Sequence, residues 1–197
     1  MSEHGTLVVI SSPSGGGKNT IVDALIRVVP NAARLVTTTS RPPRGNEKEG
    51  VDYYYIDKAV FEQKIASGDF VEHNMFVGNY YGTEAARLHD ALHDYRVVFA
   101  VVDVNGKKHF DAHGIPHLSI FLLPESLDIL RERIRHRGGL TEEQIDGRIR
   151  TAEEELKSAT GYAYRVVNRD GAMDDTVAEV LGILQKEGVL DKKARNL

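Results

Sequence analysis

The stretch "ISSPSGGGKNT", residues 10–20, runs three glycines into a lysine and an asparagine, directly after the apolar run "TLVVIS" (6–11). Loops of the form G-x-x-x-x-G-K-[ST] use glycines to bring backbone N–H groups close to an anion, and the lysine to reach a terminal phosphate. Here Ser12 stands at the first glycine position and Asn19 at the hydroxyl position. The β-branched run reads as a buried strand. "NTIVDALIRVVP" (19–30) reads as a helix with Ile21, Leu25 and Val28 on one face and Pro30 as its stop. The glycines therefore lie between a strand and a helix N-terminus, where free amides and the helix dipole attract an anion. An ordinary glycine turn is the competing reading, and this context weighs against it. Asn19 removes a hydroxyl that would touch Mg²⁺; its carbonyl oxygen or a water can serve there, because Mg²⁺ takes few protein ligands. Thr20 still offers a hydroxyl to a phosphate oxygen.

Outward from the loop, strands and helices alternate. "RLVTTT" and "VDYYYI" read as strands around the loop "SRPPRGNEKEG". "KAVFEQKIAS" reads as a helix capped by Asp57 and stopped by Gly68, and "DFVEHNMF" as a strand. "VGNYYGT" reads as a turn into the helical "EAARLHDALHD". "RVVFAVVDVNG" is the strongest buried strand and ends in Asp103 and a turn. "HLSIFLL" is another strand, "SLDILRERIRHRGG" a helix, and "TEEQ" (141–144) a capping box opening a long polar helix to about residue 160. "YRVVN" and "DTVAEVLGILQKEG" close the series, and residues 191–197 read as a frayed tail. This order predicts an α/β fold with a parallel sheet covered on both faces. The interval 37–83, richer in strand and tyrosine, reads as an inserted subdomain.

The 197 residues suit one compact domain. There is no cysteine, which excludes disulfides and thiolate metal sites, and a net charge of −4 gives no global field toward nucleic acid. The amino terminus has too short an apolar run for a signal or a span, so the chain is expected to be cytoplasmic, with no membrane and no nucleic-acid partner. Histidine pairs His89/His93 and His109/His113 have i,i+4 spacing, but no third ligand is indicated and they read as surface residues.

Other stretches suggest a second anion grip. The prolines of "SRPPRG" hold the segment near polyproline II, which turns once in three residues, so Arg41 and Arg44 point the same way. Arginines alone would read as a solvated basic loop; Tyr53 and Tyr81 add phenols able to donate to phosphate. In a strand, Phe70, Glu72, Asn74 and Phe76 share a face. Glu72 is there either a cleft residue or an edge-strand charge. As a cleft residue its carboxylate could accept the N1–H and 2-amino donors of guanine, with Thr37 and Thr83 donating to O6.

Together these phrases resemble the guanylate kinase family over nearly the whole chain. "SPSGGGK" is similar to its phosphate loop, "TTTSRPPRG" to its arginine loop, and "GVDYYY", "FVEH" and "GNYYGT" to its monophosphate-binding part. The resemblance implies a P-loop kinase core (about 1–36, 84–124 and 159–190), a mixed α/β GMP-binding insertion (about 37–83) and a helical lid (about 125–158). It implies that Ser12, Pro13, Ser14, Gly15, Gly16, Gly17, Lys18, Asn19, Thr20 and Asn168 bind ATP. Thr37, Arg41, Arg44, Tyr53, Glu72, Tyr81 and Thr83 would bind GMP or dGMP. Lys18 with the lid arginines Arg133, Arg137 and Arg148 would be catalytic, and Asn19 and Asp103 would approach Mg²⁺, directly or through water. Asp170 falls near the same stretch as Asn168. The chain departs from the family where "VVDVNG" has Val101 in place of the first of two acids and where His73 replaces a tryptophan. Adenylate-kinase relatives also lack the hydroxyl after the lysine. The activity implied is ATP-dependent phosphorylation of GMP in purine nucleotide metabolism. A non-catalytic phosphopeptide-binding module and a same-fold kinase for another phosphorylated small molecule are the alternatives. The oligomeric state, monomer or homodimer, is left open.

Overall fold

The computed structural model describes residues 5–76, 78–136 and 138–191. Its main sheet has β1 (Thr6–Ser11) at the centre, parallel to β7 (Val97–Val101) on one side and β8 (Leu118–Pro124) on the other. β2 (Ala32–Arg34) and β9 (Tyr164–Asn168) form the edges, giving the order β2-β7-β1-β8-β9, all parallel. Successive side chains of β1 enter two different cores. Val8 and Ile10 pack with Ile21 and Leu25 of α1 (Lys18–Val28) and Val180 and Leu184 of α7 (Met173–Lys186). Leu7 and Val9 pack with Leu88 of α3 (Ala85–Asp94) and Phe110 of α4 (Val104–Ala112). A strand buried on both faces needs a continuous apolar run, which is why "TLVVIS" does not alternate.

A second sheet, ordered β4-β3-β6-β5, is built from β3 (Thr38–Thr39), β4 (Tyr54–Tyr55), β5 (Phe70–Phe76) and β6 (Asn79–Glu84), with α2 (Lys58–Ala66) between β4 and β5. Two helices, α5 (Leu127–His136) and α6 (Glu142–Lys157), share a separate apolar cluster of Leu130, Ile134, Ile145, Ile149 and Ala152. The expected capping box opens α6: Gln144 N–H donates to Thr141 Oγ1 at 3.3 Å and Thr141 N–H to Gln144 Oε1 at 2.9 Å. Among the described residues no helix is long and apolar enough to cross a membrane.

Several local expectations change. "RLVTTT" is split between the two sheets rather than forming one strand. "GNYYGT" is strand β6, paired antiparallel with both β3 and β5, because tertiary ladder bonds override its turn-like glycines. The turn read after Asp103 is the start of helix α4, opened by Asp103 as an N-cap that accepts from Asn105 and Gly106 N–H. Asp57 occupies the N-cap position of α2 but makes no side-chain cap bond. A register shift between Phe70 and Glu72 also breaks the shared face expected for β5. The bulge turns Phe70 to the His73 side, where its ring would meet a Cβ at Gly82 at 2.9 Å.

Candidate functional site

The glycine loop closes on itself around Ser12. This residue is 1% exposed, and its Oγ donates to the Pro13 carbonyl at 3.0 Å. Among the described residues the only non-glycine with left-handed φ is Asn31, so serine at position 12 carries no such backbone strain. A Cβ at Gly16 would stand 2.4 Å from Ser12 Oγ, so the serine itself makes glycine necessary four residues on. Gly15 and Gly17 have φ of 88° and 86°, and Gly17 is the N-cap of α1. Lys18 Nζ folds back to donate to the Ser12 carbonyl at 2.6 Å. Asn168, expected to bind ATP, also braces the loop. Its Nδ2 donates to the Gly16 carbonyl at 2.9 Å and its Oδ1 accepts from Thr176 at 3.1 Å.

Clefts of about 400 and 330 Å³ open on either side of this loop. Gly15, Gly17, Thr20, Asn168, Arg133 and Met173 line the smaller one. Arg133 is tied to Asp170 at 3.0 and 3.1 Å, which holds α5 against the segment after β9. The larger cleft gathers Ser14, Lys18 and Asn19 from the loop with Thr37, Arg41, Arg44, Tyr53 and Tyr81 from the second sheet and its loops. Arg148 reaches from α6 to Ser14 Oγ at 3.3 Å. Arg137 lies outside the described residues.

Arg41 is 5% exposed; Arg44 is exposed. The Arg41 fork makes two 2.7 Å bonds to the Glu47 carboxylate, while its Nε donates to Tyr81 Oη at 3.2 Å and its guanidinium sits 5.0 Å from the Tyr53 ring centre. Glu47 also accepts from Arg44 N–H at 2.8 Å and Tyr55 O–H at 3.0 Å. These donors, Arg41 first, hold its carboxyl down at about 2. Glu47 does not line the cleft; it lies behind Arg41 and fixes it. The sequence reading missed it, although an acid six residues beyond Arg41 in a stiff loop was a visible signal.

The far wall of the larger cleft carries two carboxylates. Glu72, 6% exposed, accepts the Thr83 hydroxyl at 2.7 Å, and burial pushes its carboxyl up to about 7, helped by the nearby charge of Asp103. Thr83 is fully buried, so its hydroxyl supports Glu72 rather than facing the cleft. Asp103 Oδ1 accepts from Asn105 and Gly106 N–H at 3.0 and 2.8 Å, and Oδ2 from Asn74 Nδ2 at 3.1 Å. Glu155 of α6 also lines this cleft; burial raises its pKa, against the pull of Lys18. It too was missed, though seven residues from Arg148 on a helix places it on the same face. Two arginines and a loop lysine around one space suit phosphate groups, and a buried carboxylate at its end suits a donor-bearing base.

The family model described as guanylate kinase matches residues 4–187. The chain belongs to the guanylate kinase family. It is 36% identical over 197 residues to a guanylate kinase of Clostridium perfringens, covering 100% of this chain and 90% of that one. It is 32% identical over 192 residues to a guanylate kinase of Rickettsia bellii, covering 98% and 97%. The crystal structure of guanylate kinase from Anaplasma phagocytophilum superposes with a TM-score of 0.73 at 28% identity, covering 99% of this chain and 91% of that one. A guanylate kinase relationship accounts for a glycine–lysine loop that faces a second group of arginines and tyrosines across one cleft.

Proposed function

We propose that the chain transfers the terminal phosphoryl group of ATP to GMP, and to dGMP, giving ADP and GDP or dGDP. The observation that carries this reading is the larger cleft, in which the phosphate loop faces Arg41, Arg44 and Tyr81 with Glu72 buried beyond them. The GMP phosphate has a second pKa of about 6, so its attacking oxygen is already anionic near neutrality and needs no general base. That oxygen bonds to the γ-phosphorus as the bond to the β,γ-bridging oxygen breaks, and the electron pair leaves with ADP. Lys18 and Arg148 neutralise the equatorial charge, Arg133 holds α5 to the second cleft where ATP's base enters, and Arg41 and Arg44 orient the acceptor. Arg137 joins the lid set by resemblance. Glu72 accepts from the donor edge of guanine, and Thr37 faces the same base.

The donor set also bears on Mg²⁺. Among the described residues no group of three or more His, Cys, Asp or Glu side chains could hold a metal. Mg²⁺ in such sites rests on one or two protein oxygens, phosphates and water. Asn19, exposed beside Lys18, fits that pattern. Asp103 fits it less well, since three of its roughly four acceptor positions already take N–H bonds. When bound, the ion would offset phosphate charge.

The second sheet and its loops (37–83) form the GMP-binding insertion and residues 125–158 the lid, whose closure excludes water from the transfer. The test is ADP release from ATP and Mg²⁺ with GMP, dGMP, AMP, UMP and CMP offered separately, with Lys18→Ala as control. Turnover with GMP and dGMP alone is expected. Equal or faster turnover with AMP, or none with any acceptor, would overturn the assignment.

A further inference from the structure

β5 meets α4 along a seam between the two sheets. Val71, Val102 and Phe110 close it within one buried cluster, and the His73 and His109 rings lie stacked across it with centroids 6.3 Å apart. Asn74, on the same strand, lines the larger cleft. Its amide has one orientation available. Met75 N–H donates to Oδ1 at 2.8 Å, so Nδ2 is left to donate to Asp103 Oδ2 at 3.1 Å. With the two N–H groups of the α4 cap on Oδ1, three donors fix the Asp103 carboxylate. A carboxylate has about four acceptor positions, so one is left for a ligand in the cleft that Asp103 lines.

Glu72 stands two residues before Asn74 on β5. One of its oxygens is taken by Thr83, and the other is 3.3 Å from where a Gly106 Cβ would project beside the Asp103 cap. Two like charges brought this close repel, and a free aspartate would turn away to reduce that repulsion. With Val101 in the cleft wall, Asp103 is the carboxylate that the end of β7 contributes.

We propose that Asn74 is a specificity-positioning residue: it holds Asp103 beside Glu72 so that the cleft offers two carboxylate acceptors to a purine carrying a ring N–H and an adjacent amino group. This rests on the GMP reading above. A single acceptor would take the ring N–H alone and barely distinguish guanine from hypoxanthine. The second acceptor makes the amino group count, because a base lacking it leaves a desolvated carboxylate unpaired.

The experiment compares wild type and Asn74→Ala with GMP and with IMP, whose base keeps N1–H but lacks the amino group. The apolar seam is untouched by this change, and a thermal melt confirms the fold. The KM for GMP should rise ~10-fold with kcat near wild type, and the GMP-over-IMP preference should fall by a similar factor, the scale of one hydrogen bond to a charged group. GMP titration calorimetry without ATP should show the same loss. In Asp103→Asn, which keeps the helix cap but replaces an acceptor with an amide, adding Asn74→Ala should cause little further change. Unchanged KM and preference in Asn74→Ala, or a full independent loss in the Asp103→Asn background, would overturn the proposal alone. Wild type that neither binds nor phosphorylates GMP would remove the GMP reading, and this inference with it.

Discussion

Glu72 shows how burial sets the chemistry of a single residue. Its carboxyl is raised from an ordinary 4.5 to about 7, so the folded chain holds that proton more tightly than the unfolded chain. The stability this gives is complete below pH 4.5 and is lost as pH rises through about 7, on the order of 3 kcal/mol in all. Glu72→Gln, which keeps an acceptor for Thr83 and cannot ionise, should therefore melt higher than wild type at pH 8 and no differently at pH 4. The same variant should lose GMP preference, since an amide presents a donor where guanine also has donors. Calorimetric scans and acceptor competition check the two halves. Glu47 gives the opposite sign. Its depressed carboxyl stays ionised throughout the neutral range, so Glu47→Gln should raise the KM for GMP ~10-fold through a loosened Arg41, with kcat largely kept.

Elements carry constraints that no one residue states. β6 needs glycine at position 82 because β5 is bulged, and a Cβ there would press on the Glu72 carbonyl at 2.8 Å and the Phe70 ring at 2.9 Å. Gly82→Ala should cost about 1–3 kcal/mol in a urea melt, the usual range for overpacking, and weaken GMP binding as Glu72 shifts. Helix α6 begins with a reciprocal cap, presents Glu155 to the cleft and reaches Ser14 of the loop through Arg148. Thr141→Ala should remove about 1 kcal/mol from stability. A larger fractional fall in kcat than in GMP affinity would follow from fraying at the end that positions Arg148.

At the scale of the molecule, two clefts share one loop, and under the proposed function each takes one nucleotide, so each ligand should stabilise the chain separately. GMP alone at 100 times its Kd should add about 2.7 kcal/mol, read as a thermal shift that Glu72→Gln largely abolishes. ATP hydrolysis without GMP should stay far below the transfer rate, because water is excluded only when both sides close.

Local pattern was enough for much of this architecture. The continuous apolar run before "SPSGGGK" specifies a doubly buried strand, the glycines specify a loop with left-handed positions, and "TEEQ" specifies a helix start, since each depends on neighbours within one turn or one strand. The arginine–tyrosine group and Glu72 were legible as donors and an acceptor, and the structure gathers them around one cleft. Tertiary structure decided the rest. It made "GNYYGT" a strand through ladder bonds to distant β3 and β5, and it turned Phe70 away from Glu72 through a bulge. It also gave Thr83 to Glu72, and Asn168 to the loop it braces. Those outcomes depend on which polar groups remain unpaired once the sheets have met. The sequence names the donors and acceptors, but only the folded chain determines which of them find each other and which still face the cleft.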